Sequence, residues 1–271
     1  LAEHPVTGAT IAEVCTAVGT RAPDHVILHA EPTFFVTQQK LRIFAAKPSS
    51  AGGGTESILK GRTLAIGMPL LPLLSAKETK AVLAHEFAHF SGRDTLYSVW
   101  VGQIYRSLGE SLVRLQRMRA TAAGLLQGIM SLLILPSILF LALFLAFFAA
   151  VDAIVSRARE LRADWIAASH YGSAAVAGAL QKVVQYSAHF SGWTDKVMRE
   201  GIALEDPAGL YRQHRAALPQ DTAVLQSYLD TAMNAVEHEY ASHPTLRTRI
   251  ANLPKTPNGA ITAGEVALAD E

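Results

Sequence analysis

Between Ala120 and Val151 the chain carries no charged side chain, and the middle of that run reads LLILPSILFLALFLAFFAA. No other feature narrows the possible folds as far. A bilayer core about 30 Å thick needs about 20 apolar helical residues, whereas an ordinary helix of a globular protein runs about 8–20. The run is therefore read as a transmembrane helix over about 125–149, in preference to a buried core helix. It lies in mid-chain, so a secretory signal does not account for it. The opening at Leu1, with neither an initiator Met nor a basic n-region, is the pattern expected of a fragment with upstream spans missing.

The remaining composition excludes more than it selects. The 24 Lys+Arg against 23 Asp+Glu lack the basic excess of a nucleic-acid binder, so nucleic acid is not an expected partner. Cys15 is the only cysteine, which rules out a disulfide framework within the chain and any cysteine metal site. A metal ion would have to be held by histidines and carboxylates.

Upstream of the apolar run, residues 7–19 read as a short helix. HVILHA (25–30), TFFVTQQ (33–39), LRIFAA (41–46) and RTLAIG (62–67) read as short strands. The Gly- and Ser-rich stretch 47–57 reads as a loop, and residues from Pro254 onward as a loosely ordered tail. Ser75-Ala-Lys-Glu78 fits the capping box, so a helix should start near 76 and end near the Phe90–Gly92 stretch. A long amphipathic helix over 95–118 follows, with Arg106, Glu110 and Arg114 four apart for pairing. After a turn near 119–124, the apolar helix should continue to about Ser169, with Pro136 as a possible kink site. Further helices are expected near 173–190, 207–217, 222–241 and 244–253, the last with Pro244 at its first position.

The helix that starts near 76 carries AVLAHEFAHFSGRD (81–94). Positions i and i+4 share a helix face, so His85 and His89 can present two imidazoles to one ion, with Glu86 beside them to reach a bound water. This is the His-Glu-x-x-His arrangement of zinc peptidases, which also occurs by chance. His238-Glu-Tyr-Ala-Ser-His243 looks similar but is one residue too long, and i to i+5 turns the second ring away on a helix. A catalytic zinc needs a third protein ligand, either Glu or His. The best source is RARELRAD (157–164), where Glu160 and Asp164 share a face. Glu160 would bind the ion, and Asp164 would accept a hydrogen bond from a ligand imidazole. On its own that segment reads more simply as a solvated, salt-bridged face, given Arg157, Arg159 and Arg162.

The order GRTLAIGMPLL, VLAHEFAHFSGRD, an apolar helical pair, RARELRADWIA and SHPTLRTRI resembles the membrane zinc endopeptidases of the HtpX and CaaX prenyl protease family, over about residues 20–253. The resemblance implies His85, His89 and Glu160 as ligands of one catalytic Zn²⁺, Glu86 as general base and Asp164 as an acid behind the ligands. In that family the His and Arg of the closing pattern lie at the active site. Here they are His243 and Arg249, expected to contact substrate or the oxyanion of the transition state. The implied fold is α+β and mainly helical: a zincin-like metallopeptidase domain with a small N-terminal β-sheet and a long membrane-inserted helical hairpin. Its halves would be 1–94 and 156–253, around a hairpin at 95–155 and before a tail at 254–271. The implied location is a membrane, the bacterial inner membrane, with the side carrying the site left open.

Topology constrains this picture independently. If His85 and Glu160 meet at one ion, the chain between them crosses a bilayer an even number of times. Either helix 95–118 partners the apolar helix in a hairpin or the apolar segment folds back near Pro136, and the hairpin is favoured because 24 residues rise about 36 Å. Its charges fit the family's more apolar first segment poorly. The function that follows is peptide-bond hydrolysis, with Glu86 as the base acting on a zinc-activated water. Polypeptides, including membrane proteins, would be the substrates, and the lipid bilayer the other partner. Strand RTLAIG could offer its edge to an extended substrate. The alternative is a membrane-anchored interaction or regulatory protein with a structural or inactive zinc site. Substrate identity and oligomeric state stay open.

Overall fold

A computed structural model describes residues 4–45, 55–91, 94–121, 124–201, 207–218, 221–238, 241 and 243–255. They fall into two units, one drawn from 1–92, 161–236 and 245–271, the other from 93–160 and 237–244.

The first unit opens with α1 (Pro5–Val18), which ends on Gly19 at φ 73°, a left-handed position that suits glycine. Strands β1 (His25–His29), β2 (Phe34–Thr37) and β5 (Thr63–Gly67) form a three-stranded sheet in the order β1-β5-β2. All five residues of β5 are buried, as expected of a strand covered on both faces. It pairs in parallel with β1 (His25 opposite Thr63) and antiparallel with β2 (Phe34 opposite Ile66). The free edge expected of RTLAIG is therefore absent, because β5 has a neighbour on each side. The edges of this sheet are β1 and β2.

Strands β3 (Leu41–Ala45) and β4 (Thr55–Leu59) form a separate antiparallel pair. This corrects the loop expected over 47–57 at its last three positions; residues 47–54 lie outside the described residues. Helix α2 (Ala76–Ser91) starts at the capping box: the Ser75 amide donates to Glu78 at 2.7 Å, and the Glu78 amide donates to Ser75 Oγ at 3.3 Å. Its inner face inserts Ala81, Leu83, Ala84, Phe87 and Phe90 into a core shared with Ile11, Val14, Leu64 and Ile66. At about 25 cal/mol per Å² of apolar area, burying a side chain such as Phe87 or Leu83 contributes about 1.5–3 kcal/mol. That packing holds the outer face of α2 in place.

Helix α5 (Ser173–Glu200) runs ten residues past the expected end near 190, stopping only at the left-handed Gly201. Helix α6 spans Pro207–Ala217. Helix α7 (Thr222–Met233) stops well short of 241, its end at Asn234 held by amide bonds back to Asp230 and Ala232. Helix α8 (Leu246–Ala251) is capped by Thr245, whose hydroxyl accepts from the Thr248 amide, so Pro244 precedes the cap instead of opening the helix. The tail expected from 254 lies, from 256 onward, outside the described residues.

The second unit contains α3 (Asp94–Thr121) and the first three-quarters of α4 (Gly124–Tyr171). Residues 122–123 of the expected turn lie outside the described residues. Tyr105 of α3 meets Phe148 of α4 with ring centroids 5.1 Å apart. Helix α4 continues through Pro136, so the chain does not fold back there. Among the described residues it is the one helix long and apolar enough to cross a membrane, and only 6% of its apolar window is buried. Leu132, Leu133, Leu139, Phe140, Leu143 and Phe147 are all exposed. Helix α3 keeps Arg106, Glu110 and Arg114 on its surface, with Arg114 3.4 Å from Glu110.

Candidate metal centre

Because α2 buries Leu83, Ala84, Phe87 and Ala88, the helical period leaves His85, Glu86 and His89 half-buried on its other side. The two imidazoles lie one turn apart, ring centroids 5.0 Å from each other and nearly perpendicular. Helix α4 supplies the acids. Glu160 and Asp164 are one turn apart on it and are buried, at 9% and 2% exposure. The solvated, salt-bridged face is therefore not what this segment forms.

One ligand atom each from His85, His89 and Glu160 lies within 4.8 Å of the other two, close enough to hold one metal ion. Asp164 Oδ1 sits 2.9 Å from His85 Nδ1. That contact assigns the Nδ1 proton to the side facing Asp164 and leaves Nε2 as the ligand atom. Two neutral imidazoles and a carboxylate are the donor set that suits zinc, whose ligands stand about 3.4 Å apart around a tetrahedron with bonds near 2.0–2.1 Å. The residues present fit such an ion with small side-chain movements.

Asp164 is itself fixed. Arg249 donates to both its oxygens, Nε at 2.8 Å and a terminal nitrogen at 2.7 Å, and that nitrogen lies 3.5 Å from His85 Nδ1. Burial pushes the Asp164 carboxyl up, but the hydrogen bonds from Arg249 and His85 outweigh it and hold the group below its ordinary value. His243 has its Nδ1 3.4 Å from Glu160 Oε2 and is 69% exposed. Its segment is tied to α4 by Arg157, which donates to the Ala241 carbonyl at 3.2 Å and lies 3.5 Å from Glu237. The expected residues are thus brought together in two groups, His85, His89, Glu160, Asp164 and Arg249 in one, and His243 against Glu160 in the other. Residues 234–238 are not helical, so His238 and His243 form no helical clamp.

Two arginines at the end of α2 had no signal in the spacing. Arg162 donates to the Ala88 carbonyl at 3.3 Å, and Arg62 to the Phe90 carbonyl at 3.2 Å, with its guanidinium 4.2 Å above the Phe90 ring. They satisfy two carbonyls of the last helical turn, which has no intrahelical partners for them, next to His89. Both contacts span long sequence separations, and no local pattern points to either.

No curated protein and no solved structure matches the chain. The model of peptidase family M48 matches residues 55–256. That span contains α2 with both histidines, Glu160, Asp164 and the His243–Arg249 segment, and it is more than half of the 271 residues. The chain belongs to peptidase family M48.

Proposed function

We propose that this chain is a membrane-associated zinc endopeptidase of the HtpX and CaaX prenyl protease kind, with α4 crossing a bilayer and α3 as its partner in a hairpin at 95–155. The observation that carries the proposal is the His85–His89–Glu160 group backed by Asp164, on a chain of a peptidase family. A bound zinc ion would supply Lewis acidity, polarising the scissile carbonyl and lowering the pKa of water.

The chain's own residues have the following roles. Glu86, beside His85 on α2, takes the proton of the attacking water and returns it to the leaving amine. Arg249 and Asp164 orient His85, both Asp164 oxygens being bonded to Arg249. His243, exposed beside Glu160, or Arg249 is the donor to the negative charge that develops on the carbonyl oxygen, a role commonly worth a few kcal/mol. An extended substrate would add to β2, the antiparallel edge strand that packs on α2. The metallopeptidase halves would be 1–94 and 156–253.

The test is reconstitution. Purified protein in detergent should cleave an unfolded polypeptide, lose that activity to a chelator and regain it with zinc. Cleavage that survives full chelation would remove the metal from the mechanism.

A further inference from the structure

We propose that the open pocket between residues 30–33 and α5 is a subsite for a lysine or arginine side chain of the substrate, a selectivity that rests on the peptidase reading above. The pocket has a volume of about 530 Å³, within the usual range of ligand sites. One wall is the stretch Ala30–Thr33, which leads directly into edge strand β2; the other is α5 at Phe190–Asp195, with Leu210 of α6. A strand added to β2 and continuing past Phe34 therefore meets this gap. Main-chain pairing supplies affinity in such complexes, and pockets for alternate side chains supply selectivity.

The pocket's chemistry selects the side chain. Pro32, Phe190 and Leu210 are apolar, while Glu31 and Asp195 are exposed carboxylates, and among the described residues no lysine, arginine or histidine lines it. A long cationic side chain matches both parts, laying its methylenes along the apolar wall and its charge among the acids. An apolar side chain would partly desolvate the two carboxylates without compensation.

Both walls are held in place before any ligand arrives. Ser187 Oγ on α5 donates to the Pro32 carbonyl at 2.7 Å, and His29 Nε2 bonds the Thr33 carbonyl at 2.9 Å. The stretch crosses Gly67 so closely that a Cβ there would collide with the carbonyls of Glu31 and Thr33. On the other wall, His189 and His214 are bonded at 3.0 Å and Phe190 stacks on Tyr211 at 6.1 Å, which keeps Leu210 beside α5.

Cleavage profiling with a peptide library tests the subsite, scoring lysine and arginine against norleucine at every position around the cut. Two exposed carboxylates predict a preference of about fivefold to tenfold at one fixed position, weakening with salt. Glu31→Gln with Asp195→Asn should bring that ratio near unity, by slowing cleavage of the lysine and arginine peptides and relieving the desolvation that penalises norleucine. No basic preference at any position, or one that survives the double substitution, overturns the subsite. A protein that cleaves nothing defeats the peptidase reading instead. In that case binding of the lysine and norleucine peptides to Glu86→Gln protein decides: tighter lysine binding supports the subsite, and equal or absent binding overturns it.

Discussion

Asp164 ties α4 to both α2 and α8. It is 2% exposed, accepts two bonds from Arg249 and fixes the tautomer of His85. Asp164→Asn leaves the half-buried Arg249 opposite a neutral amide, a change that should cost somewhat less than the about 3–5 kcal/mol typical of breaking a fully buried pair. The same change should weaken zinc binding by about 10- to 100-fold, since groups behind metal ligands commonly act on that scale. Thermal unfolding and competition with a chromophoric chelator measure the two effects separately. The His85, His89 and Glu160 trio was legible in the sequence because helical periodicity alone aligns i with i+4 and because the motifs occur in order. Arg62 and Arg162 were not, since which carbonyl an arginine reaches depends on a tertiary contact.

His214 provides a residue-level test outside the candidate metal centre. Burial, then the nearby charge of His189, lowers its pKa from 6.5 to about 4. The unfolded chain therefore binds the proton more readily than the folded one between those values. Stability is complete above pH 6.5 and falls as the pH drops toward 4, by on the order of 3 kcal/mol for a shift of this size. His214→Gln should flatten that part of the stability profile, and an unchanged slope would assign it to other groups.

Among elements, α2 has the clearest local origin. Ser75 and Glu78 exchange hydrogen bonds across its first turn, so Ser75→Ala should lower stability by about 1 kcal/mol, read as a shift in the urea midpoint. Helices α2 and α4 were legible because each pairs an unambiguous start or composition with a long period. Strand β4 was hidden by the Gly- and Ser-rich stretch before it, and its identity depends on pairing Leu59 with Leu41. Helix α5 runs on through Gly192 to Glu200, since an interior glycine weakens a helix without ending it and only Gly201 adopts the left-handed conformation, and α7 ends at Asn234 although apolar Val236 follows. The position of RTLAIG also escaped the sequence. A strand buried along its whole length reads as apolar, but only the neighbours β1 and β2 show that it has no edge to offer.

At the scale of the molecule, residues nearly two hundred positions apart in sequence are gathered around α2. The sheet and α1 bury one face of that helix, and the half-buried face carries the candidate metal group beside α4 and α8. Helix α4 continues from the Glu160–Asp164 turn into an apolar stretch that is almost wholly unburied, which fits a peptidase held at a membrane. The central claim is that Glu86 is the base of a zinc-dependent hydrolysis. It is tested most directly by measuring zinc content and polypeptide cleavage side by side for wild type and Glu86→Gln. About one zinc per chain is expected in both proteins, with cleavage in the wild type alone. A Glu86→Gln protein that cleaves at the wild-type rate, or a wild type that cleaves without bound zinc, would contradict it.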